Sequence, residues 1–169
     1  MKFARTIQLD ASDQNVFDNP AAPGEWAVTG TFEFAGGAFD GDPADWTAKQ
    51  QLAFKSGWMG LGGFGRATFV QVSVVPDEQV EEAVRALGAH LFDHYGAPDM
   101  LAALDAARRE CEDMAALCDH PAGTLLAIER DLTEDGIVER VRVIPATGDG
   151  QHARIWGVAP DDAETSEGA

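Results

Sequence analysis

Apolar and polar residues alternate with period two from the start of the chain. Phe3, Ile7 and Leu9 share a face with Arg5, while Ala4, Thr6 and Gln8 take the other, which predicts a strand over Phe3–Leu9. Asp10–Asn15 reads as a turn, and the prolines of Asp18–Gly24 make that stretch a loop. Alternation is stricter in Glu25–Phe34, where Trp26, Val28, Phe32 and Phe34 oppose Glu25, Thr29, Thr31 and Glu33. That is the pattern of a half-buried antiparallel strand. Beyond a loop at Gly36–Pro43, Asp45 is placed to cap a short helix over Trp46–Ser56, with Leu52 and Phe54 as its apolar content. Gly57–Gly65 reads as a glycine-rich loop. Arg66–Val75, dense in β-branched and aromatic residues, predicts a central strand covered on both faces and ended by Pro76.

The period then changes to that of a helix. Val80, Val84, Leu87 and Leu91 form one stripe behind Asp77, with Glu78, Glu81 and Glu82 in the first turns, and Gly96-Ala97-Pro98 ends the element. A second helix over Asp99–Cys118 carries Met100, Leu104, Ala107, Cys111, Met114 and Cys118 at alternating steps of four and three. So short a connection predicts an antiparallel helical hairpin. Thr124–Asp131 and Ile137–Ile144 read as strands joined through Thr133-Glu134-Asp135-Gly136, and a last strand is expected at His152–Val158. The order is that of an α+β fold: a mostly antiparallel sheet of about five to six strands, with a two-helix hairpin and one short helix packed on it. Residues 1–158 are expected to form a single globular domain, and 159–169, acidic and without aromatics, a disordered tail.

Charge narrows the partners. Lys plus Arg number 12 against 29 Asp plus Glu, a formal net charge of −17 over 169 residues. A surface that tracks phosphates needs clustered cations, so nucleic acid and anionic membrane are not expected partners, whereas a protein partner is. The N-terminus lacks the apolar core of a secretory signal, which places the expected localisation in the cytoplasm. Free thiols at Cys111 and Cys118 fit that compartment. Seven residues apart on one helix, they are separated by about 10 Å and cannot bridge to each other.

Candidate chemistry is sparse. Gly60–Gly65 matches G-x-G-x-x-G, but it follows a helix and precedes a strand, the reverse of the dinucleotide-binding context. The apolar residues in and around it, Trp58, Met59, Leu61 and Phe64, are instead candidate partner-binding residues if exposed. His90 and His94, four apart on one helix, have metal-ligand spacing, and with Cys118 and His120 they would complete a set suited to zinc or iron. Hairpin geometry opposes that grouping, because the carboxyl end of the first helix lies next to the amino end of the second, so that Cys118 falls near Val80 and not near His94. No serine lies in G-x-S-x-G, and neither cysteine has an electropositive setting, so no catalytic residue is assigned. A carboxylate pair such as Glu129 and Glu139 is to be expected by chance among so many acids. Arg130, Arg140 and Arg142 read as partners of nearby acids on paired strands.

Pro20-Ala21-Ala22-Pro23-Gly24-Glu25-Trp26-Ala27, His94-Tyr95-Gly96-Ala97-Pro98-Asp99 and Thr124-Leu125-Leu126 resemble segments of a family of small acidic alphaproteobacterial proteins of unknown function. The resemblance runs to about residue 145. It implies genes placed near accessory proteins of molybdenum-dependent formate dehydrogenase and a lipoate/biotin ligase-like protein, hence an accessory role in metalloenzyme maturation, and it assigns no catalytic residue. The expected function is that of a non-catalytic accessory or interaction protein without a cofactor. The alternative is a small metal-binding protein or metal-dependent enzyme using zinc or iron.

Overall fold

The computed structural model describes residues 1–8, 15–35 and 42–146, and in them an α+β fold with two antiparallel sheets and three α-helices. The expected strand at His152–Val158, the tail at 159–169 and most of the loop at Gly36–Pro43 lie outside the described residues. Strands β1 (Lys2–Ile7), β5 (Phe69–Val74), β6 (Leu125–Thr133) and β7 (Gly136–Ile144) form one sheet in the order β1-β5-β6-β7. Strands β2 (Ala27–Val28), β3 (Trp58–Gly60) and β4 (Arg66–Ala67) form a second, in the order β2-β3-β4. The two meet at β1, whose Arg5 is bridged to Trp26 while Thr6 N–H donates to Glu25 O at 2.8 Å. The single sheet of five to six strands expected from alternation is therefore divided into four and three.

Helix α2 (Asp77–His94) buries Val80, Val84, Leu87 and Leu91, as its stripe predicts. Helix α3 (Met100–Leu117) is capped by the Asp99 carboxylate, which accepts from Ala102 N–H at 2.8 Å. It buries Ala103, Ala107, Cys111 and Met114, but Met100, expected on that stripe, is largely exposed. The helices approach closely at Gly88, where a Cβ would stand 2.7 Å from Leu104 Cδ2. Their inner faces join Phe3, Ala4, Val70, Val72, Leu126 and Ile128 in one apolar core.

Four expectations need correction. The strand over Glu25–Phe34 stops at Val28: Gly30 adopts φ +73°, and the chain turns into a 3-10 segment at Thr31–Ala35 that buries Phe34. A Cβ at Gly30 would collide with Met59 Cβ, so the turn is dictated by packing as well as by backbone. The short helix α1 (Ala48–Ser56) is capped by Thr47 and not by Asp45, through a capping box in which Thr47 Oγ1 accepts from Gln50 N–H and Gln50 Oε1 from Thr47 N–H. Gly57–Gly65 is not a loop but largely a hairpin, β3-turn-β4. Arg66–Val75 is not one strand: it divides at Thr68 between the two sheets, and Val74 is 69% exposed, so the strand is not covered on both faces.

Two arginines lie inside this frame. Arg130 on β6 is 1% exposed and Arg66 on β4 5%. Arg130 Nη1 donates to Phe54 O at 2.8 Å and Gly57 O at 3.0 Å, Nη2 to Thr29 O at 2.6 Å, and Nε to Thr31 Oγ1 at 2.9 Å and Glu139 Oε1 at 3.2 Å. Arg66 donates to Gly57 O and Gly30 O, each at 3.0 Å, and ion-pairs with Glu33. Both guanidiniums lie over the Phe34 ring, at 4.7 Å for Arg66 and 5.1 Å for Arg130. Burial and the neighbouring Arg66 charge push Arg130 down to about 10, which still leaves it protonated at neutral pH.

Arg130→Met would leave the Thr29, Phe54 and Gly57 carbonyls without this donor beneath α1. The expected loss of unfolding free energy is about 3–5 kcal/mol, read by urea denaturation. A loss under about 1 kcal/mol would show that other donors replace the guanidinium.

Candidate functional site: a cleft between helix α2 and the β3–β4 turn

A cavity of about 600 Å3 opens where the C-terminal half of α2 faces the tip of the second sheet. Ala86, Ala89, His90, Asp93 and His94 line it from α2, and Tyr95, the residue that ends the helix, closes one side. These α2 positions recur at helical spacing on the face that adjoins the Leu87 and Leu91 stripe. Gly63 and Phe64 come from the β3–β4 turn, Asn19 from the loop before β2, and Glu33 from the 3-10 segment. Asn19 Nδ2 donates to Gly63 O at 3.3 Å, which ties the loop to the turn.

Phe64 is the wall that meets α2. Its ring stacks on His90, centroids 3.6 Å apart and planes within 5°. Among the described residues it alone combines a side chain with positive φ, at +58°. Such a conformation costs about 1–2 kcal/mol, which the stacking contact helps to offset. His94 lies beyond, its ring centroid 5.0 Å from that of His90, and Tyr95 is 5.5 Å from His90. Burial, then the charge of His94, hold His90 below the usual imidazole range, against smaller opposing effects of Glu33 and Asp93.

Glu33 is held from behind. One carboxylate oxygen pairs with the buried Arg66 and the other accepts from Tyr95 O–H at 3.3 Å. Burial and the Glu33 charge push the Tyr95 phenol up to about 12, so it remains a donor. Among the described residues the lining contains no serine, cysteine or lysine, and its groups suit stacking and hydrogen bonding.

The structure places the residues singled out from sequence unevenly. His90 and His94 come together, and Phe64 joins them from the apolar partner-binding set. Trp58 and Met59, 0% exposed, and Leu61, 6%, are core residues and do not form an exposed apolar patch; Trp58 Nε1 donates to Leu126 O at 3.1 Å. Cys118 is buried at the end of α3, its thiol pushed up to about 12 by burial. His120 follows it, and its carbonyl accepts from Lys2 Nζ at 2.8 Å at the start of β1. Among the described residues no group of three or more His, Cys, Asp or Glu stands where it could hold a metal ion, so His90, His94, Cys118 and His120 do not form one set. The glycine-rich turn holds an anion, but one of its own: Glu25 Oε1 accepts from Gly62 N–H at 2.8 Å and Gly63 N–H at 3.2 Å. Glu129 and Glu139 take opposite faces of their hairpin, the first bonded to Arg140 and the second to Arg130. Sequence reasoning missed Asn19, Glu33, Asp93 and Tyr95. Asp93 and Tyr95 flank His94 and were legible as neighbours, whereas Glu33 was masked by the expected strand.

The fold and the cleft define an α+β domain with an aromatic and acidic cavity at a helix–hairpin junction, and no helix among the described residues is long and apolar enough to cross a membrane. The chain belongs to the family of unknown function DUF6505, whose model matches residues 1–159. No curated protein and no solved structure matches it.

Two outcomes follow. The unfolded chain takes up the His90 proton at about pH 6.5 and the folded chain only at lower pH, so stability from neutral His90 is present above that value and lost as pH falls through it. His90→Gln should flatten the fall in Tm between about pH 7.5 and about pH 5, and an unchanged slope would remove His90 as its source. Cys111 and Cys118, both pushed up to about 12, should resist a thiol reagent at about pH 8 in the folded chain and react in denaturant.

Proposed function

We propose that the chain is a non-catalytic accessory protein that engages a protein partner through the cleft between α2 and the β3–β4 turn. The observation that carries this reading is the stacking of Phe64, at positive φ, on His90 at the edge of a cavity of about 600 Å3. A cavity of that size is within the range of binding sites, and backbone strain persists where the surroundings over-determine it. The surface that serves is thus the tip of the hairpin together with α2, and not the apolar residues around Trp58. A cytoplasmic setting beside the maturation of a formate dehydrogenase-type metalloenzyme rests on the resemblance of the Pro20–Ala27, His94–Asp99 and Thr124–Leu126 segments.

A photo-crosslinking residue at Ala89, in the cleft, should give a discrete protein adduct in the native host. The same residue at Glu112, exposed on α3 outside the cleft, should not. Phe64→Ala should reduce the Ala89 adduct severalfold while the circular dichroism spectrum is retained. Equal adducts from both positions, or none from Ala89, would overturn the reading.

A further inference from the structure

We propose that the cleft receives the guanidinium of an arginine side chain presented by a basic segment of the partner. This rests on the reading of the cleft as a partner-binding surface and adds the chemistry of what enters it.

Charge is the first argument. The lining carries two carboxylates, Glu33 and Asp93, and two imidazoles, and among the described residues no lysine or arginine is part of it. The nearest guanidinium, Arg66, lies behind Glu33, 5% exposed, and is taken up by the Thr29, Gly30 and Gly57 carbonyls and by Glu33 itself. Asp93 differs from Glu33 in having no hydrogen bond or ion pair among the described residues. An anion entering here would face the Asp93 carboxylate, which has no paired cation among the described residues, and an apolar group would strip water from Asp93 without replacing it.

Shape is the second. The rings of Phe64, His90 and Tyr95 stand together, with His90 5.5 Å from Tyr95. A planar, weakly hydrated guanidinium can lie against such rings and present its edge to a carboxylate, which a compact ammonium does less well. The chain uses the same pairing internally, with Arg5 Cζ 3.7 Å from the Trp26 ring centroid and Arg66 and Arg130 over Phe34. A net charge of −17 supplies the long-range part, drawing basic segments toward the domain before any contact forms.

The test follows the His90 and His94 imidazole resonances of the full chain while a capped Gly-Arg-Gly peptide is added. Citrulline and glutamate replace arginine in the control peptides. Expected are saturable shifts of both imidazoles with the arginine peptide and binding about tenfold weaker with citrulline, which keeps the shape and loses the charge. Asp93→Asn should weaken arginine binding about threefold to fivefold, while Asp113→Asn, an exposed acid on α3 outside the cleft, should leave it unchanged. Citrulline binding as tightly as arginine, glutamate binding more tightly, or no saturable shift with arginine would each overturn the proposal. An Ala89 adduct without an arginine response would leave the partner reading standing and remove only the guanidinium.

Discussion

The guanidiniums of Arg66 and Arg130 hold together segments that secondary structure alone would leave unconnected. Between them they bond carbonyls at Thr29 and Gly30, before the 3-10 segment, and at Phe54 and Gly57, where α1 gives way to β3. Those carbonyls are the acceptors that irregular backbone leaves unpaired when it is buried. Placing two like charges over one Phe34 ring is costly, and it persists because Glu33 and Glu139 supply the counter-charges and the ring its π-face. This junction joins Trp58 Nε1, which donates to Leu126 O, in tying the second sheet to β6.

The cleft is a consequence of that junction. Arg66 orients Glu33, Glu33 accepts from Tyr95, and Tyr95 ends α2 just after His94, so the far wall of the cavity is positioned by a buried charge that never reaches it. The near wall has a separate origin. Glu25 fills the amides of Gly62 and Gly63, which shapes the turn, and the turn carries Phe64 at positive φ onto His90. Rigid elements thus support both sides of the stack, as a binding surface that must be pre-formed requires.

Legibility in the sequence varied with how local the cause was. Helix α2 could be read from Val80, Val84, Leu87 and Leu91 because a 3.6-residue period needs no partner to be visible. The β6–β7 hairpin followed from turn chemistry at Thr133–Gly136, and Gly136 does take positive φ, at +110°. The strand expected at Glu25–Phe34 failed because Gly30, one residue in an otherwise faithful alternation, meets Met59 and Arg66 from distant parts of the chain. For the same reason Glu33, read as a solvent-facing strand residue, became the link between a buried arginine and the cleft. Half of the site, His90, His94 and Phe64, was visible as chemistry without a place; Glu33, Asp93, Tyr95 and Asn19 acquired their roles only through proximity.

By itself the sequence determined the α+β class, the helical hairpin, the antiparallel β6–β7 pair and the acidic charge balance, since periodicity, caps and net charge are properties of neighbouring residues or of simple sums. Tertiary structure alone decided that the strands divide into two sheets, that Trp58 and Met59 are core and not surface, and that His90 meets Phe64 and not Cys118. Those outcomes depend on which buried groups find partners across long stretches of chain. An unpaired guanidinium or carbonyl is costly enough to override a local preference worth a fraction of a kcal/mol per residue.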